Sequence, residues 1–295
     1  MAKFILSTDS SCDVCSYQLK ALNIKSLPLY FTINGRVFPD VFEQDSEYEE
    51  FYKKIEEGAM PSTSQINTYT HEEYFDDILE NSKCNVIVHL SLSSGLSGTY
   101  NNAIKAAKNS MIKFPQSQIY VIDTKGATQA HHYVLDEALK CRDENISGAD
   151  TFVYLNESIQ QMNVWFAVDD LMHLKRGGRI NGVTAVIGTM LNIKPILIIN
   201  NEGKLAVVQK VKGYNKVFNE FIKKIKENAI DPEHQTYYIA SANATEYAPK
   251  LKKLILDTFP QATVKIGWIG PVIGSHTGPN AVGLVFKAKQ RLTNK

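Results

Sequence analysis

The chain has 295 residues, 44% hydrophobic and 21% charged, ordinary values for a globular protein able to bury a substantial core. Thirty-two basic against thirty-one acidic residues leave a formal net charge of +1, so no global field draws the molecule to nucleic acid or an anionic surface, and any anion it holds must be recognised locally. The opening MAKFILSTDS is too short in its apolar run for a secretory signal, no stretch approaches the roughly 20 apolar residues of a membrane span, and four cysteines do not make a disulfide framework. The expectation is a cytoplasmic protein with reduced thiols and no integral membrane segment.

Lys3 to Thr8 (KFILST) reads as a buried strand, and Asp13 to Leu22 as the helix after it. Ser26 to Val37 reads as a hairpin, because Asn34-Gly35 is a strong turn signal between two strand-like runs. Ser46 with Glu49 predicts a capping box for a helix whose Tyr48, Phe51, Tyr52 and Ile55 share one face, and Thr70 with Glu73 predicts another before Tyr74, Ile78 and Leu79. The polar stretch PSTSQIN, Pro61 to Asn67, is expected to be a loop joining them. Strand NVIVHLSL, turn SSGLSG, helix TYNNAIKAAKNSM, strand QIYVIDT and a helix near ATQAHHYVLDEALK then alternate, which implies right-handed βαβ units and a parallel sheet.

The pattern changes near Asn163, where the domain boundary is expected: 1–163 form one α/β domain and 164–295 a second. From VWFAVDD the chain passes through the basic turn LKRGGRI, an expected helix, and a long hairpin, KPILIINNEGKLAVVQKV, turning at Asn200 to Gly203. Two amphipathic helices follow, one carrying Val217, Phe218, Phe221, Ile222 and Ile225, the other Tyr247, Leu251, Leu254 and Ile255, with strands YYIASA and TVKIGWIG. IGSHTGPN, Ile273 to Asn280, reads by itself as a turn beside a core strand.

The SSGLSGTY loop, Ser93 to Tyr100, joins a strand end to a helix start, where open α/β sheets bind ligands; its glycines allow close backbone approach and Ser94, Ser97 and Thr99 can donate hydrogen bonds to a small anion. Turning the chain and capping the helix would use the same residues. Neither the nucleophile elbow G-x-S-x-G nor the P-loop fits, since the second glycine is misplaced and no lysine follows Gly98. Ser62, Thr63, Ser64 and Gln65 form a second hydroxyl-rich group, and His276 with Thr277 a third. His71, His131, His132, His173 and His234 read as helix surface or loop and His89 as part of a strand, none with a role. Cys12 and Cys15 make a C-x-x-C after a strand, but Cys84 and Cys141 stand apart, so a metal site is not expected. Lys175, Arg176 and Arg179 can clamp a phosphate or dock an acidic partner.

Taken together, TDSSCD, PSTSQ at 61–65, LSSGLSGTY at 92–100, VIDT at 121–124, LKRGGRI at 174–180 and GPVIGSHTGPNAVG at 270–283 resemble the DegV family in order and spacing across almost the whole chain. The resemblance implies two α/β domains, an N-terminal one with a parallel sheet and a C-terminal one with a mixed sheet, holding one long-chain fatty acid between them. It implies no other cofactor, and a separate ATP-dependent kinase that makes acyl phosphate from the presented carboxylate. Thr63 and Ser94 map to the family's carboxylate ligands, with Ser64, Gly95, His276 and Thr277 as a supporting network, and Arg176, Arg179 and Lys212 near the partner-docking surface. The copy departs from the pattern at Asn280 (usually glycine), GATQA after VIDT, and Lys212 (often arginine). Neutral donors are expected around the carboxylate, and VTAVIGTMLNIKPILII and WIGPVI are expected to line the tail. The competing expectations are a serine esterase or acyltransferase using Ser94 or Ser97 with His276, and a binder of another amphipathic carboxylate or lipid.

Overall fold

In the computed structural model, which describes residues 3–169, 171–180, 192–242 and 246–292, KFILST forms β1 (Ile5–Asp9), buried over its last four residues. Helix α1 (Ser16–Ala21) and strand β2 (Lys25–Leu27) follow, then the hairpin of β3 (Tyr30–Ile33) and β4 (Arg36–Pro39). Asn34 and Gly35 turn it with φ of 50° and 74°, the left-handed values a two-residue hairpin requires. Helix α2 (Asp45–Glu56) buries Tyr48, Phe51, Tyr52 and Ile55, as their spacing predicts. Its capping box is Gln44 with Glu47 instead of Ser46 with Glu49: Glu47 Oε2 accepts from the Gln44 N–H at 2.9 Å.

PSTSQIN is not only a loop. Ser62–Ser64 form β5, antiparallel to β3 with Thr63 opposite Phe31, so the segment satisfies its backbone on the free edge of the hairpin. Helix α3 (Thr68–Glu80) is capped by Asn67, whose Oδ1 accepts from Thr70 N, and the expected Thr70–Glu73 box lies inside the helix.

Strand β6 (Val86–Ser91), helix α4 (Thr99–Lys113), strand β7 (Gln118–Asp123) and helices α5 (Gln129–Asp143) and α6 (Gly148–Ile159) complete the first unit. Its sheet, β2-β1-β6-β7, is parallel throughout. Phe75 and Ile78 of α3 and Ala103 and Ala106 of α4 pack with Ile87 and Val121 on one face, while Ala130, Val134 and Leu135 of α5 and Leu155 of α6 pack with Leu6, Val88 and Ile122 on the other. These inner faces explain two misread histidines: His71 and His131, expected at the surface, are fully buried, and His131 bonds Thr8 Oγ1 and Ser11 Oγ, each at 3.0 Å.

From Met162 onward the strands enter a second sheet. Strand β8 (Met162–Ala167), helix α7 (Met172–Arg176), strands β9 (Ile193–Ile199) and β10 (Leu205–Lys212), helix α8 (Tyr214–Asn228), strand β11 (Thr236–Ser241), helix α9 (Tyr247–Thr258), strand β12 (Thr263–Trp268), helix α10 (Pro271–Thr277) and strand β13 (Val282–Lys287) follow in order. The sheet order is β10-β9-β8-β13-β11-β12, with β11 and β12 parallel and the other pairs antiparallel. The protein is therefore α/β, with a parallel-sheet and a mixed-sheet domain. The expected helix after Ile180 falls on 181–191, outside the described residues. IGSHTGPN forms the end of α10 and its exit, because Pro271 at the helix start and Gly278 (φ 72°) just past its end punctuate a single short helix.

The two faces of the mixed sheet have different fates. Trp165 and Ala167 point to the side covered by α8 and α9, where Val217, Phe221, Leu251 and Ile255 make a core. Val164 and Phe166, one residue out of phase, point to the parallel-sheet domain. Because Phe221 is fully buried in the α8 core, Phe221→Ala is expected to cost about 3–5 kcal/mol in urea unfolding; a cost near zero would mean that this core is not as closely packed as described.

Candidate functional site

The inward face of the mixed sheet does not close on the other domain. Val164, Phe166, Ile199 and Val285 from the sheet, with Leu29, Leu92, Leu96 and Ala127 from the first domain and Ile269, Val272 and Ile273 around α10, wall a cavity with an empty volume of about 850 Å³, its mouth included. Of the stretches expected to line a tail, 183–191 lie outside the described residues, Ile199 does line it, and WIGPVI contributes Ile269, Val272 and Ile273.

The cavity has one polar end. Thr63, Ser64 and Gln65 arrive on and just after β5, Ser97 from the loop between β6 and α4, His276 and Thr277 from α10, and Arg179 from the turn after α7. Thr63 Oγ1 and His276 Nε2 are 2.8 Å apart. Burial, then the Arg179 and Arg176 charges, pull the His276 pKa down to about 4, so the imidazole is neutral at physiological pH. Thr277 spends its hydroxyl on its own helix, 3.3 Å from Ile273 O. Arg179, expected at a docking surface, is half-buried and lines the cavity, donating to the carbonyls of Leu96 and Gly177. Among the described residues no ion pair joins it to a carboxylate, and none of those that line the cavity is Asp or Glu. A guanidinium thus stands among the neutral groups at the polar end.

Ser94 does not face this space. Its N–H and Oγ donate to the two oxygens of Asp123, at 3.0 and 2.5 Å, and Ser97 is the loop serine on the cavity wall. The two are three residues apart on a tight turn, and sequence spacing cannot say which projects inward. Gly95 touches the β9–β10 hairpin instead of the cavity. Arg176 is exposed beside His173, with Nη2 3.0 Å from its Nδ1, and Lys212 is exposed on a separate surface groove with Lys210 and Lys216. Asn280 holds φ of 62°, which asparagine tolerates, and its side chain bonds Asp169.

Among the described residues neither Ser94 nor Ser97 is hydrogen-bonded to His276. Ser94 is turned to Asp123, His276 Nε2 is paired with Thr63, and His276 Nδ1 has no partner among the described residues, so no carboxylate orients the ring. Cys12 is buried and its thiol is pushed up to about 12 by desolvation, the reverse of an activated thiolate; all four cysteines are free.

Reading the sequence missed three acidic residues that organise the site. Asp123 fixes the serine loop. Asp13 and Asp40 take the Gly270 and Val272 N–H groups that α10 leaves unpaired at its start, and Ser10 Oγ donates to Asp40 at 2.8 Å. Burial raises both acids, Asp40 to about 7, with Asp13 raised further by its neighbour. Their carboxyl positions, distant from α10 in sequence, gave no signal beyond TDSSCD itself.

The structure thus defines an α/β protein, with a parallel-sheet and a mixed-sheet domain, enclosing an apolar cavity that ends in hydroxyls, an imidazole and a guanidinium. The family model described as "Uncharacterised protein, DegV family" matches residues 3–289, and the chain belongs to the DegV family. It is similar to a DegV domain-containing protein of Clostridium perfringens, 34% identical over 286 residues, 97% of this chain and 98% of that protein. Among solved structures it resembles a DegV family protein of Thermus thermophilus described by its fatty acid binding, at 28% identity and TM-score 0.84, over 98% of this chain and 100% of that one. It shares its fold with the Streptococcus pneumoniae Fatty Acid Kinase (Fak) B3 protein loaded with linoleic acid, at 18% identity and TM-score 0.83, over 97% and 100% of the two chains.

His276 gives a pH test with a fixed sign. Its folded pKa lies below the ordinary 6.5, so the stability it contributes is present above that value and lost as pH falls through about 4. His276→Gln is expected to flatten that part of the wild-type stability slope, and the imidazole signals of His276 should titrate near pH 4; a midpoint near 6.5 would contradict the burial described.

Proposed function

We propose that the protein carries one long-chain fatty acid, its tail in the cavity and its carboxylate at the polar end, and presents that carboxylate to an ATP-dependent partner kinase for acyl-phosphate formation. The observation that carries this reading is the composition of the cavity: an apolar wall ending in Thr63, Ser97, His276 and Arg179, with no acidic side chain along it among the described residues. An anionic head attached to a long apolar tail is the ligand such a gradient selects.

The magnitudes agree. A tail of about 16 carbons, at about 0.8 kcal/mol per buried CH2, supplies on the order of 10 kcal/mol before ordering costs. The carboxylate loses several kcal/mol of hydration, and each hydrogen bond to the charged head returns about 1.5–3 kcal/mol. Thr63 and Ser97 are the direct donors in this reading. With its proton on Nε2, neutral His276 donates to Thr63 Oγ1 and frees the threonine hydrogen to point at the ligand. Arg179, whose other donors are tied to carbonyls, supplies charge without a competing acid.

The fatty acid binding of the Thermus relative supports the ligand class, and the kinase name of the pneumococcal fold relative accords with the delivery step. Exposed Arg176 beside the polar end is the docking residue this reading favours, with Lys212 on a second face. The protein itself is a carrier, not the catalyst, and works in the cytoplasm, where its four free thiols stay reduced.

Native mass spectrometry of the purified protein, followed by lipid extraction, is expected to recover one long-chain fatty acid per chain; no lipid, together with no uptake of added fatty acid, would sink the proposal. Thr63→Val and Ser97→Ala are each expected to weaken fatty acid binding about 10-fold, the loss of one charged hydrogen bond.

A further inference from the structure

The β9–β10 hairpin of the mixed-sheet domain does more than connect two strands. Its turn is built on buried Asn200, whose Oδ1 accepts from the Glu202 and Lys204 N–H groups, while Gly203 N donates to Asn200 O. That rigid tip is seated on the loop of the other domain that carries Ser97. Ser93, fully buried, donates its hydroxyl to Gly203 O at 2.8 Å. A Cβ on Gly95 would lie 2.5 Å from Gly203 C and O, and one on Gly203 would lie 2.3 Å from Ser93 Oγ. Gly95 needs glycine because the backbone of the tip lies against it, and Gly203 because its φ of 76° is left-handed and the Ser93 hydroxyl occupies the space of a side chain.

The contact is transmitted to the site by the loop itself. Ser93 O accepts from the N–H groups of Leu96 and Ser97, at 3.0 and 3.1 Å, so the residue held by the tip holds the two residues that face the cavity. The tip is in turn fastened from outside. Arg291, 4% exposed, donates to Asn200 O at 3.0 Å, to Ile159 O at 3.1 Å and to Lys125 O, and Lys125 Nζ donates to Asn201 O at 2.7 Å. A guanidinium buried among carbonyls fixes all three strongly, since each bond to a charged donor is worth more than a neutral one.

We propose that the Asn200–Gly203 tip is a positioning element for head-group recognition, setting Ser97 at the polar end of the cavity through Ser93 and Gly95. Ser93 is a positioning residue: it does not line the cavity and acts through the loop. The inference rests on the fatty acid reading above and extends it to the device that makes the site selective for a carboxylate head.

The test separates head from tail. Binding of a long-chain fatty acid and of the primary alcohol with the same chain is measured for wild type, Ser93→Ala, Ser93→Thr and Gly95→Ala. Tail burial is common to both ligands, so loosening of the whole fold lowers both affinities together and leaves their ratio unchanged. The expected result is a wild-type preference for the acid that shrinks by about 10-fold in Ser93→Ala and Gly95→Ala, with Ser93→Thr restoring it. A preserved ratio in both variants overturns the positioning role while leaving the carrier reading intact. A wild type that binds neither ligand, or does not prefer the acid, overturns the carrier reading and this inference with it.

Discussion

The bond between Thr63 Oγ1 and His276 Nε2 joins residues 213 positions apart, and most of the site is arranged so that it can form. Thr63 is in place only because β5 adds to the hairpin edge opposite Phe31. His276 is in place only because α10, seven residues long, is held from outside: Tyr52 donates to Ile269 O at 2.6 Å, and Asp13 and Asp40 receive its first N–H groups. So short a helix has little stability of its own, and its orientation is that of the groups that cap it. The ring then sits where Gly177 has no side chain; a Cβ there would be 2.0 Å from His276 Nδ1.

A cavity in the middle of a protein is destabilising unless something fills it, because its lining forgoes the dispersion contacts of a packed core. Here the loss is confined to one side of one sheet. The α8–α9 side of the mixed sheet is closely filled by large side chains, while the inward side places Gly283 and Ala240 opposite each other, next to Phe166. A Cβ on Gly283 would meet Phe166 and Ala240 at 3.4 and 3.5 Å, ordinary contact distances, so the space is left open by composition and not by steric necessity. A ligand that filled the cavity would restore those contacts and so stabilise the fold.

The electrostatics are equally local. A chain of nearly zero net charge keeps its ionisable residues in separate roles: Arg179 beside a neutral His276 at the polar end, and the acids Asp13, Asp40 and Asp123 spent on backbone and hydroxyl donors behind it. The acids brace the loops behind the polar end and do not line the cavity.

The sequence by itself determined the alternation of strands and helices, the hairpin at Asn34-Gly35, the buried faces of α2 and α8, and the blocks that carry the DegV resemblance, because each depends on local spacing and turn chemistry. It also brought Thr63 and His276 to notice. Only the tertiary structure decided that PSTSQ pairs as a strand, that Ser97 and not Ser94 faces the cavity, that Arg179 turns inward, and that His71 and His131 are buried. Those outcomes turn on which partner a polar group finds across the fold, Asp123 for Ser94 and the Leu96 carbonyl for Arg179, and partners distant in sequence leave no periodic trace in it.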